Sequence, residues 1–185
     1  MTVALADTPR FETERLILRA PEGRDAETAC AFLASERSRY LGGPYSPEQA
    51  WRVFGQAVGH WVLRGYGQFV LEDKASGALI GSVGPWYPHG WAERELGWSL
   101  WHASAEGKGY AREAAERLRR HAYDDLGWTT AVSYIDAANA PSRALAERLG
   151  CVIDAQAALP VGEGWDDDSA EVLVYRHPAP EAVAA

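Results

Sequence analysis

The sequence predicts a mixed fold, between α+β and a three-layer α/β arrangement, in which a mostly antiparallel central sheet of about seven strands is flanked by about four helices. Three observations carry that expectation. From Ala92 to Trp101, apolar and polar residues alternate with the period of a strand, and the chain then runs through Gly107 and Gly109 into helical spacing at Tyr110, Ala114, Leu118 and Ala122. Gln68 to Asp73 and Ala78 to Trp86 read as two strands joined by the turn Lys74-Ala75-Ser76-Gly77, a hairpin with glycine where a left-handed residue is needed. The remaining strand and helix patterns alternate along the chain, as they do when helices cover the faces of a sheet.

In chain order, Glu14 to Ala20 is a first strand, ended by Pro21, Glu22 and Gly23. Arg24 to Arg39 predicts a helix whose core set is Ala26, Ala29, Cys30, Leu33 and Ala34. A second helix opens at Ser46, with Pro47 in its first turn and Gln49 placed to complete a capping box, and runs to about Arg64. The hairpin and the strand from Ala92 to Trp101 follow, then a helix from Tyr110 to Asp125. Thr129 to Ile135 is rich in β-branched residues and reads as a buried strand. A last helix begins near Ala140, with Pro141 in its first turn and Gly150 as a left-handed stop. Cys151 to Gln156 and Glu171 to His177 complete the sheet. The ordered core is expected over about residues 10–177 of a single 185-residue domain, with flexible tails at 1–9 and 178–185.

Composition excludes several classes of function. Lys and Arg total 18 against 26 Asp and Glu, a net charge of −8, which argues against a nucleic-acid footprint. Cys30 and Cys151 lack metal-ligand spacing, so no metal site is expected and the pair reads as reduced thiols filling space. No apolar run reaches the length of a membrane span, and Met1 to Arg10 lacks the pattern of an export signal, so a cytoplasmic location is expected.

The chemistry is expected where the strand meets the glycine loop. Gly107 and Gly109 permit close backbone approach, and a helix starting at Tyr110 aims unpaired N–H groups and its positive dipole end at an anion such as phosphate. Glycines after a strand are often only a turn; the helix directly behind them strengthens the functional interpretation. Lys108 is not followed by Ser or Thr, which excludes a P-loop, and the amphipathic strand before the loop is unlike the buried first strand of a dinucleotide fold. Asn139 reads as a helix cap. Glu93 and Glu95 share the polar face of the strand; Glu95 is the candidate base, acting through water, with Glu93 as the alternative, and a solvated carboxylate or a partner for Arg94 or a neighbouring strand is the competing interpretation.

Thr13-Glu-Arg-Leu-Ile-Leu-Arg19, Glu95-Leu-Gly-Trp98, Glu106-Gly-Lys-Gly-Tyr-Ala111, and Asn139-Ala-Pro-Ser142 with Glu147-Arg-Leu-Gly150 together resemble the GNAT acetyltransferases, most closely their RimJ/RimL-like branch. The resemblance runs from about Arg10 to His177. It implies acetyl-CoA as cofactor and transfer of its acetyl group to a primary amine, by direct attack in a ternary complex. The pyrophosphate would lie on the backbone of Gly107, Lys108, Gly109, Tyr110, Ala111 and Arg112, and the pantetheine arm between splayed strands past Leu100 and Trp101. A backbone N–H of Leu100 or Trp101 would meet the thioester carbonyl. Asn139, Ser142 and Arg143 are implied at the cofactor, with Ser142 as donor to the departing thiolate, because Ala146 stands where many relatives carry a tyrosine acid. Glu106 departs from the Arg or Gln common at the loop's first position and is expected to point outward.

For the acceptor, Trp86, Trp91 and Glu93, together with Trp165 and the acidic run Asp166 to Asp168, suit a cationic amine, either a protein N-terminus or a small amine. Core packing explains the same tryptophans equally well. The chain is expected to be a monomer or a homodimer, with Trp51, Trp61 or Trp165 as possible contacts. Two other classes stay open: a catalytically weak acyl-CoA-binding or interaction module on the same fold, and a nucleotide-dependent oxidoreductase.

Overall fold

A computed structural model describes residues 5–161 and 171–181. Its eight strands form one sheet: β1 (Phe11–Glu12), β2 (Leu16–Arg19), β3 (Phe69–Asp73), β4 (Leu79–Trp86), β5 (Glu95–Leu100), β6 (Val132–Asp136), β7 (Val152–Ile153) and β8 (Val172–Arg176). The order across the sheet is β1-β2-β3-β4-β5-β6-β8-β7, and every pair is antiparallel except β5 with β6. The two-residue β1 brings the count to one more than expected. Four α-helices accompany the sheet: α1 (Ala26–Leu33), α2 (Pro47–Arg64), α3 (Tyr110–Arg120) and α4 (Ala140–Arg148).

The alternation of strand residues divides the core in two. On one face Leu16, Leu18, Phe69, Leu71, Val83 and Leu96 pack with Ala114, Ala115 and Leu118 of α3 and Leu145 of α4. On the other, Val70 and Trp101 pack with Ala29, Phe32 and Leu33 of α1 and Ala50 of α2. Among the described residues no helix is long and apolar enough to cross a membrane.

The capping box expected for α2 is present in full: the Ser46 hydroxyl accepts from the Gln49 N–H at 3.3 Å, and the Gln49 side chain accepts from the Ser46 N–H at 2.9 Å. The single helix expected over Arg24 to Arg39 is not formed. It is divided into a 3-10 turn at Gly23–Asp25, α1, and a second 3-10 segment at Glu36–Leu41, because the Ser35 hydroxyl caps a new start by accepting from the Arg37 N–H. Phe32 takes the core place expected of Ala34, which is exposed. The helix after the glycine loop ends as α3 at Arg120 and continues as a π turn, His121–Asp125.

The central strand is shorter than the alternation predicts, beginning at Glu95 rather than Ala92. Glu93 precedes it and is held by a bidentate pair with Arg176 at 2.8 and 2.9 Å. The shared strand face assigned to Glu93 and Glu95 is therefore corrected. Trp61 is buried and its indole N–H donates to the Gln68 carbonyl, so it is core and offers no contact surface, whereas Trp51 is 64% exposed. Trp165 and Asp166 to Asp168 lie outside the described residues.

Candidate active site

The site is built around a gap in the sheet. β5 and β6 share a single bridge, Glu95 with Val132, and no ladder continues toward Leu100. On the other edge of β5, the Trp101 N–H donates to the Ile80 carbonyl at 2.9 Å beside the pair Gly81–Leu100, which makes that pair the non-hydrogen-bonded kind. Leu96, Trp98 and Leu100 consequently turn their amides away from β4, and those of Trp98 and Leu100 face the gap. Trp101 is removed as a thioester partner because its N–H is already committed; Leu100 keeps that role as a candidate. The segment Glu36–Leu41 straddles the wide end of the gap, where Arg37 donates to the Leu100 carbonyl at 3.0 Å and the Tyr40 hydroxyl to the Ala138 carbonyl at 3.2 Å.

Glu95 stands at the narrow end, on the face of β5 that also carries Trp101. Where a regular parallel ladder would continue, its carboxylate accepts from the Tyr134 backbone N–H, and it also accepts from the Trp91 indole N–H at 2.6 Å. Burial pushes its carboxyl up to about 7, against the opposing pull of those two donors. A carboxylate so placed takes a proton near neutral pH, as a general base should. Gln68 closes the floor: a Cβ on Gly97 would lie 2.9 Å from its amide nitrogen and 3.5 Å from the Glu95 Oε1.

Trp91 thus touches the candidate base, and Trp86 lies directly across β4–β5 from it. One face of Trp86 is covered by His60, stacked at 4.5 Å. The Tyr87 N–H donates to His60 Nε2, which leaves Nδ1 to donate to the Tyr66 carbonyl at 2.7 Å, so the ring is the neutral Nδ1–H tautomer. Burial lowers the His60 pKa and favours that form. Trp86 is a fixed wall.

The opposite face of the gap carries Ser142 in the first turn of α4. The Asn139 side chain caps this helix by accepting from the Ser142 N–H at 3.3 Å, as its position predicts. The Trp98 indole N–H donates to the Ser142 hydroxyl oxygen at 3.2 Å, leaving the hydroxyl hydrogen free to donate elsewhere. Arg143 turns away: its guanidinium reaches the Ala137 carbonyl at 3.0 Å and the Tyr175 hydroxyl at 3.3 Å.

At the wide end, Gly107 and Gly109 have φ of 69° and 83°, and α3 begins at Tyr110 with Gly109 as its N-cap and no side-chain cap. A Cβ on Gly107 would meet nothing within 4 Å. Uncapped amides behind an open loop suit a phosphate, and the residues therefore fit acetyl-CoA. Lys108 is exposed, Tyr110 donates to Asp73 at 3.3 Å, Ala111 packs against the core, and Arg112 is paired with Glu116 at 2.8 Å. Of the loop residues the backbone is open to a ligand, while the Arg112 side chain is engaged along its own helix. Glu106 is 57% exposed and pairs with Arg37 at 2.6 Å.

Sequence reasoning missed the brace behind this loop. Arg15 donates to the Lys108 carbonyl at 2.7 Å, pairs with Glu113 at 2.6 Å, and lies over the Tyr110 ring at 4.6 Å, while Thr13 donates to the same Glu113 at 2.5 Å. The motif Thr13-Glu-Arg15 was the available signal, although nothing local tied it to a loop about ninety residues away. Trp98, Tyr134 and Gln68 were also missed as site residues.

The Acetyltransferase (GNAT) domain family model matches residues 15–152. An acetyltransferase from Agrobacterium tumefaciens str. C58 is 36% identical, with 96% of this chain and 99% of that chain covered and a TM-score of 0.83. The fold is shared with a spermidine N-acetyltransferase from Vibrio cholerae, solved with CoA and spermine (22% identity; 94% and 100% covered; TM-score 0.69). It is shared too with RimL, a ribosomal L7/L12 alpha-N-protein acetyltransferase solved with coenzyme A (17% identity; 92% and 98% covered; TM-score 0.71). The chain belongs to the GNAT acetyltransferase family and is an acetyl-CoA-dependent N-acetyltransferase.

Proposed function

We propose that the protein acetylates a primary amine by direct attack in a ternary complex, with Glu95 as base and Ser142 as donor to the leaving thiolate. The observation that carries this is their placement on opposite faces of one gap: a carboxylate of raised pKa on the α1–α2 side and an oriented hydroxyl on the α3–α4 side. Acetyl-CoA supplies an activated acyl group. Glu95 takes the proton of an ammonium arriving from its own face, directly or through one water, and Trp91 and Tyr134 hold the carboxylate in place. The Leu100 N–H faces the position where negative charge develops, and the Ser142 hydroxyl donates on the far side. Holding the amine beside the acyl carbon contributes the largest share, on the order of 7 kcal/mol or more.

The acceptor we infer is positively charged in solution. Glu95 lies across the strand pair from Trp86 and accepts from the Trp91 indole, a carboxylate beside two tryptophans, and that chemistry suits an ammonium. A spermidine acetyltransferase and a ribosomal-protein acetyltransferase share the fold, so both a polyamine and a protein N-terminus belong in the test. The experiment is an acceptor panel with acetyl-CoA: N-terminal peptides, lysine side chains, polyamines and amino sugars. The expected result is preference for a cationic amine, with kcat/KM falling as salt rises. Preference for an uncharged or anionic acceptor would contradict it.

A further inference from the structure

The loop proposed to receive the pyrophosphate begins with an acid, Glu106; of its own cations, Lys108 is exposed and Arg112 is paired with Glu116. A cation stands beside it from another part of the chain. Arg37, in the segment Glu36–Leu41, places one guanidinium nitrogen 2.6 Å from Glu106 Oε1 and 3.0 Å from the Leu100 carbonyl. Its Nε is buried and without a partner, so much of its hydrogen-bonding capacity is unspent. The arginine therefore links the end of β5, at the wide mouth of the gap, to the first residue of the glycine loop.

We propose that Arg37 is a ligand of the cofactor pyrophosphate, that Glu106 occupies it in the free enzyme, and that the phosphate displaces Glu106 on binding. This rests on the glycine loop holding the pyrophosphate. Glu106 is 57% exposed, and an ion pair of that kind contributes little net stability, so the carboxylate leaves for water at small cost. A pyrophosphate carries more charge than a carboxylate and competes with Glu106 for the same Nη2 hydrogen. The hydrogen directed at Glu106 is the one surrendered, and the bond to the Leu100 carbonyl is kept, so Arg37 stays anchored during the exchange. Glu106 thereby sets a threshold: ligands without a pyrophosphate cannot displace it.

Isothermal titration of the free enzyme with CoA, dephospho-CoA and pantetheine tests this. Glu106→Gln is expected to tighten CoA about fivefold, and Arg37→Ala to weaken it about tenfold. In the Arg37→Ala background the Glu106→Gln gain should shrink below about twofold, since the two residues act through one contact. Dephospho-CoA should show the same pattern, whereas pantetheine should be indifferent to both substitutions. An unchanged or weaker affinity in Glu106→Gln overturns the proposal, as does a gain of equal size without Arg37, which would mean simple charge repulsion. A pattern present for CoA but absent for dephospho-CoA also overturns it by moving the contact to the 3′-phosphate. Because Glu106 is exposed, its substitution leaves the fold intact. Gly109→Val separates the underlying premise: if that variant binds CoA undiminished, the loop assignment itself has failed.

Discussion

The two ends of the gap between β5 and β6 are made of different material. The proposed phosphate end is chiefly backbone: two glycines at positive φ and the uncapped first turn of α3, with the Arg37 side chain beside them. The acceptor end is side chain: Glu95 from β5, Trp91 from the preceding loop, Gln68 from just before β3 and Trp86 from β4 propped by His60 of α2, with one backbone N–H from Tyr134 on β6. A backbone site is fixed by local sequence and broken by changing the backbone. A side-chain site depends on many contacts at once, and it is tuned more readily than abolished.

The sharpest way to break the contrast is at Gly109. Valine there meets an unfavourable positive φ and crowds the approach, and CoA affinity measured calorimetrically should fall on the order of 10²-fold. Lys108→Ala, which removes an exposed charge, should lower it no more than about threefold. Equal losses would mean that charge, not backbone, holds the phosphate.

At the other end the effects are kinetic. Ser142→Ala should lower kcat on the order of 10²-fold with acetyl-CoA affinity little changed, and Trp98→Phe, which frees the hydroxyl to rotate, about tenfold. An unchanged kcat in Ser142→Ala would remove that residue from the chemistry.

This contrast also explains what the sequence could tell. Gly107, Gly109, the α2 capping box, the hairpin turn at Gly77 and the Asn139 cap are local devices, each decided within a few residues. Glu95 could be singled out as a strand carboxylate, yet its raised pKa comes from burial, which no local pattern reports. Glu93 looked equivalent because alternation begins three residues before the real strand; Arg176, distant in sequence, decides the matter. Trp91 and Trp86 could be singled out as acceptor-side candidates, but the sequence does not report that one donates a hydrogen bond to Glu95 and the other is stacked on His60. The brace of Thr13, Arg15 and Glu113 joins the start of the matched family region to the first turn of α3 and shows only in three dimensions.

A smaller effect separates the two acids. Glu93→Gln weakens the pairing with Arg176 and should lower stability by about 1 kcal/mol without moving the pH profile of activity. Glu95→Gln should do the reverse at neutral pH and above. The Glu95 pKa is raised on folding from 4.5 to about 7, so its contribution is fully favourable below pH 4.5 and is lost as pH rises through 7. Thermal melts of the variant should therefore gain on the parent as pH increases from 4.5 to 8. A constant difference across that range would mean that Glu95 is not perturbed.

The central claim, that Glu95 is the base, is tested most directly by the pH dependence of kcat/KM in the parent and in Glu95→Gln, with one cationic acceptor. The parent should show an acid limb near pH 7, set by a carboxylate that burial holds there. In the variant that limb should vanish, and activity should recover only toward the pH at which the amine loses its own proton. The same limb in both proteins would contradict the account.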